Sequence, residues 1–250
     1  MIDIHVSLAL NLLDGFSGRP LKPAQVRLFL DEEPCRPVHK EGGWFVLVNL
    51  AAGEHALRVE GEGFQAEERR VQGGQAYEEM ALRLLPAPSY RFGRRVTTLT
   101  LRLAGRDGRP LPGRRLYALE GERRALRLAQ DDAQPGALQL RLFSAEKPAR
   151  LPVPGLFFLE DGEGSELVEL RLAQGMAFQL QAPLARAHRR GCLLRPARAC
   201  AADEKGELFL VAEEEGPLGL LLEEAGGFRR EELELRPKEH NERQLLCEGN

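Results

Sequence analysis

From its second residue the chain alternates. Ile2, Ile4, Val6, Leu8 and Leu10 are separated by Asp3, His5, Ser7, Ala9 and Asn11, a period of two that gives an extended strand one apolar face. The pattern returns at Val26, Leu28 and Leu30, and again at Leu82 and Leu84. Between them the stretch GGWFVLVNLAAGEHALRVEGEGFQAEERRV, residues 42–71, predicts three strands, at 44–50, 55–60 and 64–71. Turns at Ala51-Ala52-Gly53 and Gly61-Glu62-Gly63 join them. Roughly seven strands packed into residues 1–86 predict a two-sheet sandwich, because a single open sheet would leave an apolar face and both edges bare. Trp44, Phe45, Leu57, Val59 and Phe64 are expected to lie mostly buried in it.

A related stretch, GELFLVAEEEGPLGLLLEEAGGFRREELEL, occupies residues 206–235 and overlays the first without a gap. Gly42 falls on Gly206, Phe45 on Phe209, Leu57 on Leu221, and Gly63-Phe64 on Gly227-Phe228. Between the two, Val96, Leu99, Leu101 and Leu103 open another alternating run, followed by the turn Asp107-Gly108-Arg109-Pro110-Leu111. Leu138, Leu140 and Leu142 form one further strand pattern, Leu156 to Leu159 another, and Val168, Leu170 and Leu172 a third. The organisation this predicts is all-β, tandem small sandwiches: one at 1–86, a divergent one at 91–174 and a third at 175–250. Pro86-Ala87-Pro88 is expected to be the first linker, since closely spaced prolines cannot continue a ladder.

The early order of elements carries a resemblance. A strand leads into D-x-x-(S/T)-G-x-P-L at Asp14, Ser17, Gly18, Pro20 and Leu21, followed by V-x-L at Val26 and Leu28. Then come Gly43, Phe45, Leu50, Gly53, His55, Leu57, Val59, Gly63 and Phe64. This first third resembles the transthyretin-like domain known as the carboxypeptidase regulatory-like domain. The resemblance implies a transthyretin-like or Ig-like sandwich and, because that family consists mainly of accessory modules, a non-catalytic role.

Composition narrows the classes further. The formal charge is −3, and Arg pairs such as Arg69-Arg70 and Arg229-Arg230 are answered by Glu67-Glu68 and Glu231-Glu232. A mixed-charge surface is the reading, and no nucleic-acid partner is expected. No run of about 20 apolar residues predicts a membrane span, and no basic start with a continuous apolar run predicts a leader. Four dispersed cysteines, Cys35, Cys192, Cys200 and Cys247, predict reduced thiols and a cytoplasmic protein.

Candidate chemistry is sparse. None of the five serines stands in a G-x-S-x-G elbow or an S-x-x-K pair. His188 with Cys192 is the one thiol–base pair, read as a loop histidine and a strand cysteine acting as a small hydrophobe. His188, Cys192, Cys200 and Asp203 contain four ligand types but lack the tight pair that zinc sites use. Asp161-Gly162-Glu163-Gly164-Ser165-Glu166 has calcium-loop composition without the D-x-D-x-D-G spacing, and is read as a hairpin turn. No cofactor and no metal are therefore expected.

The function expected is a non-catalytic structural or protein-interaction module with protein partners, by family analogy a component of a phage-tail-like or contractile assembly. The alternative is a carbohydrate- or ligand-binding accessory module, and the remote one a transthyretin-like hydrolase. Partner contacts are expected at the first junction, where Arg91, Arg94 and Arg95 stand without a local acid beside Tyr90 and Phe92.

Overall fold

The computed structural model describes residues 5–74, 77–121, 125–143, 155–161, 164–174, 177–212, 216–224 and 227–247. Apart from one 3-10 turn, Pro23–Gln25, every regular element among them is a strand. The chain forms two compact units, Met1–Arg94 and Arg95–Asn250.

The first unit contains β1 (Val6–Asp14), β2 (Val26–Leu30), β3 (Glu33–Cys35), β4 (Val38–Lys40), β5 (Trp44–Val48), β6 (Gly53–Gly61), β7 (Glu67–Gly73) and β8 (Glu78–Leu84). One sheet runs β4-β5-β1-β8 and the other β3-β2-β6-β7. Strand β8 pairs in parallel with β1, whereas β5 pairs with it antiparallel. Leu8, Leu10, Leu12, Phe45, Leu47, Leu82 and Leu84 of the first sheet face Val26, Leu28, Leu57, Val59 and Val71 of the second across one core. Burial of a side chain such as Phe45 contributes about 1.5–3 kcal/mol.

Two expectations are corrected here. Phe45, Leu57 and Val59 are buried and Phe64 packs partly buried against the same core, but Trp44 does not join it. Successive residues of β5 point to opposite faces, so Trp44, Val46 and Val48 share the outer face and Phe45 and Leu47 the inner one. The first unit also runs past residue 86: Pro86 bridges Phe64, Ala87 N donates to Gly63 O and Gln65 Nε2 donates to Pro86 O. Pro86 lacks a donor, yet its carbonyl still accepts, and the segment folds back onto the sandwich.

The second unit begins with β9 (Thr97–Gly105) and β10 (Arg115–Leu119) and ends with β19 (Glu207–Ala212), β20 (Leu218–Glu224), β21 (Gly227–Leu233) and β22 (His240–Cys247). These repeat the first sandwich. Order β19-β9-β22 matches β5-β1-β8, with β22 again parallel to β9, and the run β10-β20-β21 matches β2-β6-β7. The turn bonds coincide as well: Leu12 N donates to Gly43 O and Leu21 N to Leu12 O, while Leu103 N donates to Gly206 O and Leu111 N to Leu103 O. Gly206 is thus the counterpart of Gly43, one residue away from the overlay that the sequence suggests. In a strand one residue exchanges the faces: Leu208 is buried where Phe45 is, and Phe209 lies half-buried on the outer face, stacked near His240. The ladders likewise set Leu218 opposite β21 where Leu57 stands opposite β7, three residues before Leu221.

Between β10 and β19, where the first sandwich has the short β3 and β4, lies a second structure. It comprises β11 (Leu126–Leu128), β12 (Asp132–Ala133), β13 (Gln139–Phe143), β14 (Gly155–Asp161), β15 (Gly164–Gln174), β16 (Ala177–Leu180), β17 (His188–Arg189) and β18 (Leu193–Ala201). The pairings β11–β13, β13–β16, β16–β15, β15–β14, β14–β18 and β18–β11 are all antiparallel and close a six-stranded barrel. Closure removes the free edges an open sheet would present. Leu126, Leu140, Phe157, Leu159, Leu170, Phe178 and Leu194 fill the interior. Strand β18 is shared, since its last residues pair with β10 as β3 pairs with β2. The boundary expected at 174/175 therefore falls between paired strands β15 and β16, and strands of 91–174 build sheets with strands of 175–250. Separate sandwiches at 91–174 and 175–250 are not formed; one is interrupted by a barrel.

Candidate functional site

At one end of the barrel four polar side chains meet out of water. Strand β14 ends at Asp161, Glu166 lies on the returning β15, and β17 holds His188 opposite Ala133. The turn from Arg189 to Cys192, closed by Cys192 N donating to Arg189 O, sets Cys192 at the mouth of β18. The His188 side chain is 0% exposed, with Asp161 at 12% and Glu166 at 13%. Its Nδ1 lies 2.9 Å from Asp161 Oδ2 and its Nε2 2.7 Å from Glu166 Oε1. Glu166 is itself fixed, accepting from Ala185 N at 2.9 Å and Arg186 N at 3.1 Å. Each ring nitrogen of His188 thus has a carboxylate oxygen within hydrogen-bond distance. Cys192 Sγ donates to Glu160 O at 3.1 Å. Burial, and after it the Asp161 carboxylate, push this thiol up to about 11. One ligand atom each from Asp161, His188 and Cys192 falls within a 4.8 Å span.

The structure thus joins residues that the sequence presents as separate candidates. Asp161 and Glu166 belong to the turn read as a hairpin, and His188 and Cys192 to the pair read as packing. Cys200 and Asp203 are elsewhere: Cys200 packs against the second sandwich core, and Asp203 Oδ1 accepts from Lys205 N and Glu207 N in a turn. No spacing motif announces the group, because its members arrive from three strands through barrel closure. The sole local signal is the recurrence of polar residues at the end of an apolar strand.

The junction candidates are placed differently. Tyr90 OH donates to Asp14 Oδ2 at 2.6 Å, and Tyr90 and Phe92 pack on Phe16, with Phe64 beside Tyr90. The Arg94 guanidinium stands 5.8 Å over the Phe16 ring. Burial opposes the Asp14 charge, but donors from Tyr90 and Ser17, with the Phe16 amide, outweigh it and hold the carboxyl below its usual range. Tyr90 and Phe92 are therefore anchored within the first unit. Arg91 and Arg94 are exposed on that platform, and Arg95, also exposed, opens the second unit. On the same sandwich a groove of about 600 Å³ is lined by Gln25, Arg27, Glu60, Glu62 and Phe64.

All four cysteines are free thiols, and no helix among the described residues is long and apolar enough to cross a membrane. No family model matches the chain, and no curated protein matches it. Among solved structures it is similar to the Bacillus anthracis TIE protein, at 9% identity over 96% of this chain and 50% of that one, with a TM-score of 0.25. It is also similar to a streptococcal ancillary pilin, at 10% identity over 92% of this chain and 95% of that one, with a TM-score of 0.21. The chain thus spans half the length of the first of these proteins.

Proposed function

We propose that the chain is a non-catalytic structural module that holds protein partners within a larger assembly. The observation that carries this reading is the repeated sandwich. The same strand order is built twice, and the second copy displays a complete barrel where the first has short strands β3 and β4. A scaffold that repeats its frame and varies one insertion presents recognition surface on a rigid support. The resemblance of the first unit to carboxypeptidase regulatory-like domains supports an accessory role, and a phage-tail-like or contractile assembly is the setting that family analogy favours. Four free thiols suit a reducing cytoplasm.

The contact surface in this reading is the Arg91 and Arg94 face, backed by Phe16, Tyr90 and Phe92. The test is affinity recovery of the full chain from native lysate with native mass measurement, compared with an Arg91→Glu/Arg94→Glu chain. Charge reversal is expected to slow association and lose partners while the unfolding midpoint stays put. A wild-type chain that recovers no partner and runs at 27.9 kDa contradicts the reading. The groove beside Arg27 and Glu60 favours a carbohydrate or other ligand as the second reading. Retention on immobilised oligosaccharide that Arg27→Ala abolishes is its mark.

A further inference from the structure

The cluster at the barrel end does more than satisfy its own hydrogen bonds. We propose that Asp161, His188 and Cys192 bind one divalent transition-metal cation of the zinc type, with Glu166 holding the imidazole from behind. Three features carry this.

The first is the donor set. One carboxylate oxygen, one imidazole nitrogen and one sulfur gather within a 4.8 Å span in a nearly closed site. Sulfur and nitrogen select borderline-soft cations over calcium or magnesium, which take oxygen donors. A tetrahedral centre with metal–ligand distances of about 2.0–2.3 Å sets its donors roughly 3.3–3.8 Å apart. The 2.9 Å pair of His188 and Asp161 would open slightly and the wider separations close by about 1 Å, within reach of side-chain rotation.

The second is Glu166. A metal-bound histidine characteristically donates its other ring N–H to a carboxylate, which fixes the tautomer and orients the lone pair. Here Nε2 faces Glu166, and two backbone amides hold Glu166 in place, leaving Nδ1 directed at the Asp161 side. The third is charge. Asp161 and Glu166 set two carboxylates against a single ring, and a dication held by Nδ1 and the Asp161 oxygen offsets their charge. On binding, the Sγ proton, and the Nδ1 proton where the ring carries one there, leaves to solvent, and bonds from Nδ1, Sγ and the Asp161 oxygen to the metal form in its place. The fourth position is open to a water or an incoming ligand.

The experiment is titration of the full, reduced and chelator-treated chain with Co²⁺, read by absorption, and with Zn²⁺, read by calorimetry and melting. One equivalent is expected to bind, to give a thiolate-to-cobalt charge-transfer band and to raise the melting temperature. Cys192→Ala should lose the band, Asp161→Asn should bind far more weakly, and Glu166→Gln should weaken binding by about 10–100-fold. Should Cys192→Ala fail to fold, a chain with Cys35, Cys200 and Cys247 replaced by alanine decides the matter, because its band must persist. A wild-type chain that takes up neither metal stoichiometrically overturns the proposal. So does undiminished binding in folded Cys192→Ala, or loss of the band in the chain that keeps Cys192 alone.

Discussion

The Tyr90→Phe substitution removes one hydroxyl and leaves the ring against Phe16, Phe64 and Phe92. What it breaks is the 2.6 Å bond to Asp14, whose carboxylate also accepts from Phe16 N at 2.8 Å, Ser17 N at 3.1 Å and Ser17 Oγ at 2.7 Å. A hydrogen bond to a charged group is worth about 1.5–3 kcal/mol. Asp14 keeps three donors and some access to water, so the lower end applies and a loss of about 1.5 kcal/mol is expected. Trp44, the one tryptophan in the chain, lies in the first unit and reports its unfolding within the intact protein. Urea denaturation followed by Trp44 fluorescence should show a lower midpoint at an unchanged slope. The effect has a pH signature. Asp14 is held below its usual range in the folded chain, so the stability it confers is present above its unfolded value and lost as pH falls through the lower folded value. The gap between wild type and variant should hold from neutral pH to roughly pH 4 and narrow below it. An unchanged midpoint at neutral pH, or a gap that ignores acidification, would mean that the Tyr90–Asp14 bond does not stabilise the first unit.

Other outcomes follow from single residues. Gly206 has a φ of 76° and a Cβ there would lie 2.8 Å from Leu103 O, so Gly206→Ala should cost about 2–3 kcal/mol and raise hydrogen exchange in β9 and β19. Asp31 and Glu32 close the β2–β3 hairpin with φ values of 50° and 67°, and Glu32→Gly should stabilise the first unit by about 0.5–1 kcal/mol in the Trp44 assay. Phe157 is fully buried in the barrel, so Phe157→Ala should cost about 3–5 kcal/mol and lower the calorimetric melt of the second unit. The hydrogen bond that His55 Nδ1 donates to Asp31 Oδ2, with Ala51 O accepting at the other nitrogen, raises His55 above its usual value. Its contribution should be complete below the unfolded value and fade as pH rises through the folded one, and NMR titration of the His55 ring checks that displacement.

Local pattern made the strands legible, and remote pairing was hidden from it. Val26, Leu28, Leu82 and Leu84 point inward as their alternation says. Likewise Asp14, Ser17 and Gly18 form the turn their types favour, with Gly18 at a φ of 69°. The repeat at 206–235 was visible too, but a gapless overlay cannot sense the one-residue offset that decides whether Leu208 or Phe209 enters the core. The barrel escaped because its decisive pairings, such as Leu126 with Leu194, join residues far apart in the chain. Two adjacent alternating strands read the same whether they belong to a sandwich or to a closed ring. His188 shared this fate: a histidine between two acids is recognisable only once β14, β15 and β17 are in place.

The second sandwich is complete without the barrel inserted in it. Its core, including Leu99, Leu101, Leu103, Leu116, Ala118, Leu208, Leu210, Leu220 and Leu222, draws no buried residue from between Ala118 and Ala202. Glu120, whose N donates to Pro196 O, is the counterpart of Leu30 opposite Glu33, so residues 121–195 can be replaced by a two-residue Asn-Gly turn, with Pro196→Glu restoring the backbone donor the closing pair needs. Leu221→Thr and Phe228→Thr would keep the bared seam with Phe158 soluble. Hydrogen exchange of this shortened chain reports whether the sandwich folds without the barrel. The shortened chain should be a monomer in which β9, β10, β20 and β22 retain slow exchange beside an unaltered first unit. Rapid exchange throughout those four strands, with the first unit still protected, would contradict it.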